Sequence, residues 1–263
     1  MTGAPVVISP HPDDAVWSLG GRLARWSAEG LRPTVVTVFA GTPGERRPAP
    51  AGGPEEWRDV ADPAVRRAED LAALAELGAA RVALGFTDAA LRSGSGGYRY
   101  TRPRALFGPP HPADRQVLAD VRAALEPLCA AAASVHVPLA AGGHVDHRLV
   151  RAAVAALVPE GTVWYEDFPY RLRERDHAGL LPRFAALAPA HLERWLAAAG
   201  HYASQARAHF GGVGRLRAAL LDRARAHGAA GAAPCGTDGP ALADRHWVPD
   251  RPRTEGGGTT RRT

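Results

Sequence analysis

Short apolar, β-branched runs punctuate the chain at Val6–Ser9, Thr34–Ala40, Val82–Phe86, Ser134–Leu139 and Thr162–Tyr165, each flanked by Gly, Pro or charged residues. Runs of this length and composition predict buried strands. Between them apolar positions recur at helical spacing over Ala15–Glu29, Ala64–Leu77, Pro112–Ala132 and His147–Leu157, the second through Val65, Leu71, Leu74 and Leu77. Strand followed by helix, repeated, predicts an α/β fold with a mostly parallel sheet flanked by helices on both faces. In such sheets ligands bind beyond the carboxyl ends of the strands. Residues that follow directly on a predicted strand are therefore the first candidates for chemistry.

Two long segments rich in Gly, Pro and Arg interrupt the alternation, residues 41–63 and 92–113. Each follows a predicted strand, so both are expected to face the ligand. Beyond Tyr165 the pattern reads as helical, with HLERWLAAAGHYASQARAHF from His191 and GRLRAALLDRARAHG from Gly214. The last residues lack apolar periodicity, and we expect one domain over 1–247 and a disordered tail over 248–263.

Composition narrows the picture. A length of 263 residues with 46% hydrophobic and 22% charged positions suits one sizeable globular core. No apolar run approaches the about eighteen residues that a membrane helix needs. The opening MTGA leads into the first strand without a basic region or apolar leader, so a cytoplasmic protein is expected. Cys129 and Cys235 are isolated, in an alanine-rich helix and a glycine-rich loop, which argues against a disulfide framework or a thiolate metal site. The formal charge is +5 and every basic side chain is arginine, but these are scattered. A solvated basic surface accounts for them better than nucleic-acid binding does.

One stretch stands out. SPHPDDAVWSLGG, residues 9–21, sets His11, Asp13 and Asp14 directly after the first strand. A turn can aim His11 and Asp14 at one point, and imidazole with carboxylate is an ordinary ligand set for zinc. Catalytic zinc sites use three protein ligands and leave one position open. The third can come from GGHVDHRLV, residues 142–150, where His144, Asp146 and His147 follow the fourth predicted strand. Either cluster alone can be a capped helix start, since Asp is a favoured N-cap and Pro a favoured first-turn residue. Two such clusters at two strand ends of one sheet point instead to a shared site.

These residues resemble the PIG-L/LmbE-like family of metal-dependent N-deacetylases, which carry an HPDDE-type motif after the first strand and an HxDH motif downstream. Further similarity lies in RRAEDLAALAELGA at 66–79, LGFTD at 84–88, YEDFPY at 165–170, HYASQ at 201–205 and ADRHW at 243–247. The resemblance implies a Rossmann-like sheet with the metal site at the carboxyl ends of its strands. It implies Zn2+ held by His11, Asp14 and His147, with iron(II) also suited to that set. By the same resemblance Asp13 is the general base, His144 stabilises the oxyanion or protonates the leaving amine, and Asp146 orients one of the histidines. Arg66, Arg67 and Asp88 match positions that bind sugar or cyclitol hydroxyls. Two positions depart from the family: Ala15 replaces the glutamate of HPDDE, and Gly142 stands where some members carry a tyrosine. A phenol at the site would then come from Tyr98, Tyr100 or Tyr170.

The reading that follows is a metal-dependent hydrolase removing an acetyl or small acyl group from an amine of a sugar-like, pseudosugar or natural-product small molecule. No nucleic-acid or membrane partner is expected, and the oligomeric state stays open. The alternatives are an amidase acting on a thiol-cofactor conjugate and a non-catalytic nucleotide or small-molecule binding module. Against the last, SLGGRL at 18–23 lacks a dinucleotide-binding glycine fingerprint.

Overall fold

The computed structural model describes residues 4–41, 62–157, 162–232 and 241–250. Its strands are β1 (Pro5–Ser9), β2 (Thr34–Thr37), β3 (Ala80–Ala83), β4 (Ser93–Gly94), β5 (Gly97–Tyr98), β6 (Ser134–Pro138), β7 (Thr162–Tyr165), β8 (Leu180–Ala186) and β9 (Ala243–Pro249). The helices are α1 (Asp14–Ala28), α2 (Pro63–Glu76), α3 (Asp114–Ala130), α4 (Val145–Ala155), α5 (Pro189–Gly200), α6 (Ala203–Phe210) and α7 (Val213–Ala232). Among the described residues, β4 and β5 form a small hairpin and the other seven strands make one sheet in the order β3-β2-β1-β6-β7-β9-β8. The first five of these are parallel, as expected.

Alternation along β1 and β2 sends Val7 and Val35 to one face, where α1, α2, α5 and α7 cover them, and Val6, Ile8 and Val36 to the other, under α3 and α4. α5 lies so close to α1 that a Cβ on Gly20 would stand 2.1 Å from Trp195 Cδ1. The glycine pair of SLGG thus serves helix packing, and the Trp195 indole donates to Val16 O at 2.7 Å across the same contact. No helix among the described residues is long and apolar enough to cross a membrane.

The strand order reverses at β1. The chain runs outward through β2 and β3, then returns to lay β6 on the other side of β1. A crevice opens at the carboxyl ends of two strands whose loops leave in opposite directions. The HPDD and HVDH segments emerge at this crevice.

The expected all-helical C-terminal half needs correction. β8 and β9 are antiparallel strands on the edge beside β7, and β9 continues past 247 to Pro249. Pro182 lies in β8, the edge strand, where a missing N–H is tolerated. β3 also begins two residues before its expected start, at Ala80. The expected tail from 251 onward and most of the 41–63 loop lie outside the described residues.

Buried Glu166, just after β7, ties this edge to the rest of the sheet. It accepts from Arg245 Nε and from Trp247 Nε1 at 2.9 Å, and lies 3.3 Å from Arg223 Nη2 and 3.6 Å from His227 Nε2. Burial raises its pKa, but His227, Arg223 and Arg245 outweigh burial and hold it well below its ordinary 4.5. A second buried pair, Arg22 with Asp244, links α1 to β9 at 2.9 and 2.5 Å.

Asp13, at the head of α1, carries φ +97°, a region costly for a residue with a Cβ. Asp13→Gly should therefore be more stable than Asp13→Ala by about 1 kcal/mol in urea unfolding, because both lack the carboxylate and the strain relieved exceeds glycine's larger entropy loss on folding. Glu166→Ala should cost about 3 kcal/mol by leaving buried cations unpaired. The contribution of Glu166 is complete above pH 4.5 and is lost as the pH falls through its depressed folded-state value. The stability gap between wild type and Glu166→Ala should accordingly shrink as unfolding is measured at lower pH.

Candidate metal-binding active site

The turn after β1 is pinned from within. Ser9 Oγ donates to His11 O at 2.7 Å and accepts from Ala15 N at 3.0 Å, holding residues 11–13 against the start of α1. Asp13 occupies the N-cap position but makes no capping hydrogen bond. Asp14 Oδ2 accepts from His11 N at 2.9 Å and lies 3.2 Å from His11 Nδ1. The carboxylates are thus not spent on the helix end.

From the neighbouring strand, α4 begins two residues earlier than the sequence predicts because His144 Nδ1 caps it, accepting from Asp146 N at 3.3 Å. One turn on, His147 Nε2 stands 3.3 Å from Asp14 Oδ2. That nitrogen is buried and, among the described residues, has no partner besides this Asp14 oxygen. Ligand atoms about 2.0–2.2 Å from a tetrahedral ion sit about 3.3–3.5 Å apart. His11 Nδ1 and His147 Nε2 each stand at about that distance from Asp14 Oδ2, and the three are donors of the kind a divalent ion takes.

The other nitrogen of each histidine is held by a carboxylate. His11 Nε2 lies 2.9 Å from Asp146 Oδ2, and Asp146 is fixed in turn by Arg92 at 2.5 Å and by Ala89 N at 2.9 Å. His147 Nδ1 lies 2.6 Å from Asp167 Oδ1, whose second oxygen accepts from Ala141 N at 3.0 Å. Such carboxylates fix the ring orientation and strengthen the ligand nitrogen. Other donor groupings exist, with ring nitrogens of His11, His144 and His147 within 4.8 Å of one another and a second cluster of His11, Asp88 and Asp146. Asp146 is already neutralised by Arg92, which disfavours the cluster of His11, Asp88 and Asp146.

The local field favours a cation. Burial opposes charge on His11, yet Asp88, Asp14 and Asp146 raise its pKa to about 9. Burial and the nearby His11 pull His144 down to about 3, so its ring is neutral. Its Nδ1 accepts from Asp146 N, which assigns the ring proton to Nε2. Burial lifts the Asp13 carboxyl to about 7 against the opposing pull of Arg66.

A cavity of about 460 Å³ opens over these groups, lined by His11, Asp13, Asp14 and His144. Arg66 and Asp88 reach the same cavity. The Arg66 guanidinium is 3.5 Å from Asp13 Oδ1 and 3.4 Å from Asp88 Oδ2, and donates to Pro12 O at 3.2 Å. Arg67 does not join them: it lies 3.5 Å from Ala40 O and is absent from the cavity wall. Of the 92–113 loop, Pro103, Leu106 and Phe107 face the cavity. Tyr100 does not, since its hydroxyl donates to Asp114 at 2.6 Å.

Tyr170 does face it, and its hydroxyl makes no hydrogen bond among the described residues. Its ring packs edge-on to His147 with centroids 5.5 Å apart. A Cβ on Gly142 would lie 2.7–2.9 Å from three Tyr170 carbons. The space a side chain at 142 would need is taken by Tyr170. Asp167 and Arg92 had no role assigned from the sequence. Asp167 follows a predicted strand within YEDFPY, the same signal that marks HPDD, while Arg92 opens a loop whose path no periodicity describes.

The chain is similar to known proteins in sequence and, separately, in fold. It is 36% identical over 174 residues to a 2'-N-acetylparomamine deacetylase of Streptomyces fradiae, covering 64% of this chain and 58% of that protein. It is 30% identical over 157 residues to a 1D-myo-inositol 2-acetamido-2-deoxy-alpha-D-glucopyranoside deacetylase of Saccharomonospora viridis, covering 57% and 56%. The match thus spans less than two thirds of either relative. Among solved structures, the A40926 pseudoaglycone deacetylase Dbv21 superposes with TM-score 0.70 at 28% identity over 94% of this chain and 97% of that one. The zinc-inhibited form of teicoplanin deacetylase Orf2 shares the fold, with TM-score 0.72 at 24% identity over 93% and 97%. Residues 6–158, which carry both the HPDD and HVDH segments, match the model of the PIG-L family, GlcNAc-PI de-N-acetylase, and the chain belongs to that family.

Proposed function

We propose that the protein is a metal-dependent N-deacetylase that frees an amine on a sugar-like small molecule. The observation that carries this reading is the convergence of His11 Nδ1 and His147 Nε2 on one oxygen of Asp14, with the second nitrogen of each ring held by a buried carboxylate. Family membership and the deacetylases among its relatives support the reaction class. Zinc is the ion this mixed nitrogen and oxygen set suits best, with iron(II) as the alternative.

A divalent ion held by His11, Asp14 and His147 supplies Lewis acidity to the amide carbonyl and to the attacking water. Asp13, next to Asp14 in the same turn and on the cavity wall, takes the proton from that water. Arg66 holds the Asp13 carboxylate in place and lines the cavity together with Asp88, a pairing suited to sugar hydroxyls. Neutral His144 donates from Nε2 to the oxygen that gains charge as the carbonyl carbon becomes tetrahedral. Tyr170 supplies a second donor there, from β7's loop rather than from position 142. The proton held by Asp13 then passes to the leaving amine as the C–N bond breaks.

Acetate release from a panel of N-acetylated aminosugars and pseudosugars tests the reaction. A protein with about one zinc or iron per chain that hydrolyses none of them argues against it. Asp13→Asn should keep its metal and lose about a thousandfold in kcat, whereas His147→Ala should lose metal as well, read by elemental analysis. Near-wild-type turnover in Asp13→Asn removes that residue from the base's role. Tyr170→Phe should retain metal and lower kcat about a hundredfold, with little change in KM.

A further inference from the structure

Beside the catalytic cavity lies a larger groove of about 990 Å³, walled by the first turns of α3, the outer face of α4 and the segment after Tyr170. Phe107 lines both spaces, and Gly143 of the groove precedes His144 of the catalytic cavity, so the two lie side by side. On α4 its floor follows one helical face, Arg148, Arg151, Ala152 and Ala155, where small alanines leave room between charged side chains. Arg115, Arg173 and Arg175 complete the basic lining.

The charge of these arginines is not cancelled locally. Arg148 donates to Gly108 O at 2.9 Å, and Arg151 to Leu139 O at 2.5 Å and Asp176 O at 3.2 Å. Backbone carbonyls orient a guanidinium without removing its charge. Among the described residues the one carboxylate within 4 Å of any of the five guanidinium groups is Asp176, 3.9 Å from Arg175 Nε, and it also accepts from Arg173 N at 2.9 Å. Asp114 lines the groove but is taken up by Arg92 at 3.0 Å, Arg99 at 2.6 Å and the Tyr100 hydroxyl at 2.6 Å. Guanidinium groups oriented in this way, with N–H donors to spare, suit carboxylate or phosphate oxygens.

We infer that this groove receives an anionic substituent, a carboxylate or phosphate, of the same molecule whose acylated amine occupies the catalytic cavity. The inference rests on the deacetylase reading for the link between the two spaces, while anion binding in the groove stands by itself. It makes the substrate an acidic N-acyl aminosugar derivative rather than a neutral one. The surface exposure of Arg115 and Arg173 makes the attraction salt-sensitive.

Calorimetric titration of the metal-loaded full chain with N-acetylglucosamine, N-acetylglucosamine 1-phosphate and UDP-N-acetylglucosamine tests this, the last two placing charge at short and long reach. At low salt the wild type should bind at least one charged probe about tenfold more tightly than the neutral sugar. The Arg115→Ala/Arg173→Ala variant should lose that gain and keep its affinity for the neutral sugar, and Arg115→Glu, at an exposed site, should reproduce the loss. Equal affinity for charged and neutral probes in the wild type overturns the inference, as does a gain that survives in both variants. Acetate release, followed in parallel, separates the two readings. An arginine-dependent gain without acetate release keeps the groove and sinks the deacetylase, and acetate release without the gain does the reverse.

Discussion

The contact of Asp14 Oδ2 with two imidazoles, at 3.2 Å from His11 and 3.3 Å from His147, depends on β1 and β6 being neighbours in the sheet. His11 and His147 are far apart in sequence, and they meet because the chain returns past β2 and β3 to pair β6 with β1. Each strand ends in a turn that throws polar side chains into the same crevice. The hydrophobic alternation of two short strands, which sets their faces and register, therefore also brings the turns that carry the candidate ligands to one edge of the sheet.

Around that contact the protein confines an excess of negative charge. Asp13, Asp14, Asp88, Asp146 and Asp167 are close together, with Arg66 and Arg92 as the permanent counter-charges tied into their hydrogen-bond network. Burying so many carboxylates is costly unless each is paired or a cation shares the site. The two arginines divide the task. Arg92 is locked between Asp146 and Asp114 in the interior, whereas Arg66 stays at the cavity wall.

Much of this was readable from the residue pattern because it is local. Strand runs, helix periodicity and the two polar clusters each lie within one short stretch of chain, and α/β alternation then brings the clusters to one edge of the sheet. The edge strands β8 and β9 were not readable. They pair antiparallel across three intervening helices, and Pro182 breaks the strand signal of β8. Arg66 and Arg67 could not be told apart from sequence either, because neighbouring residues on a helix point about 100° apart and only the packing of α2 decides which one faces the crevice. Asp167 was in view but without a partner, since its bond to His147 joins two strands' loops.

Gly142 and Tyr170 share one volume, and this has a consequence for how such a site can change over generations. A side chain at 142 collides with the Tyr170 ring, and the backbone there, at φ +77°, already disfavours a Cβ. Bulk can sit at one position or the other. A lineage moving between the two arrangements cannot add the new aromatic before giving up the old one, so its path passes through a form with neither. The two positions are epistatic, and the sign of a substitution at one is set by what occupies the other.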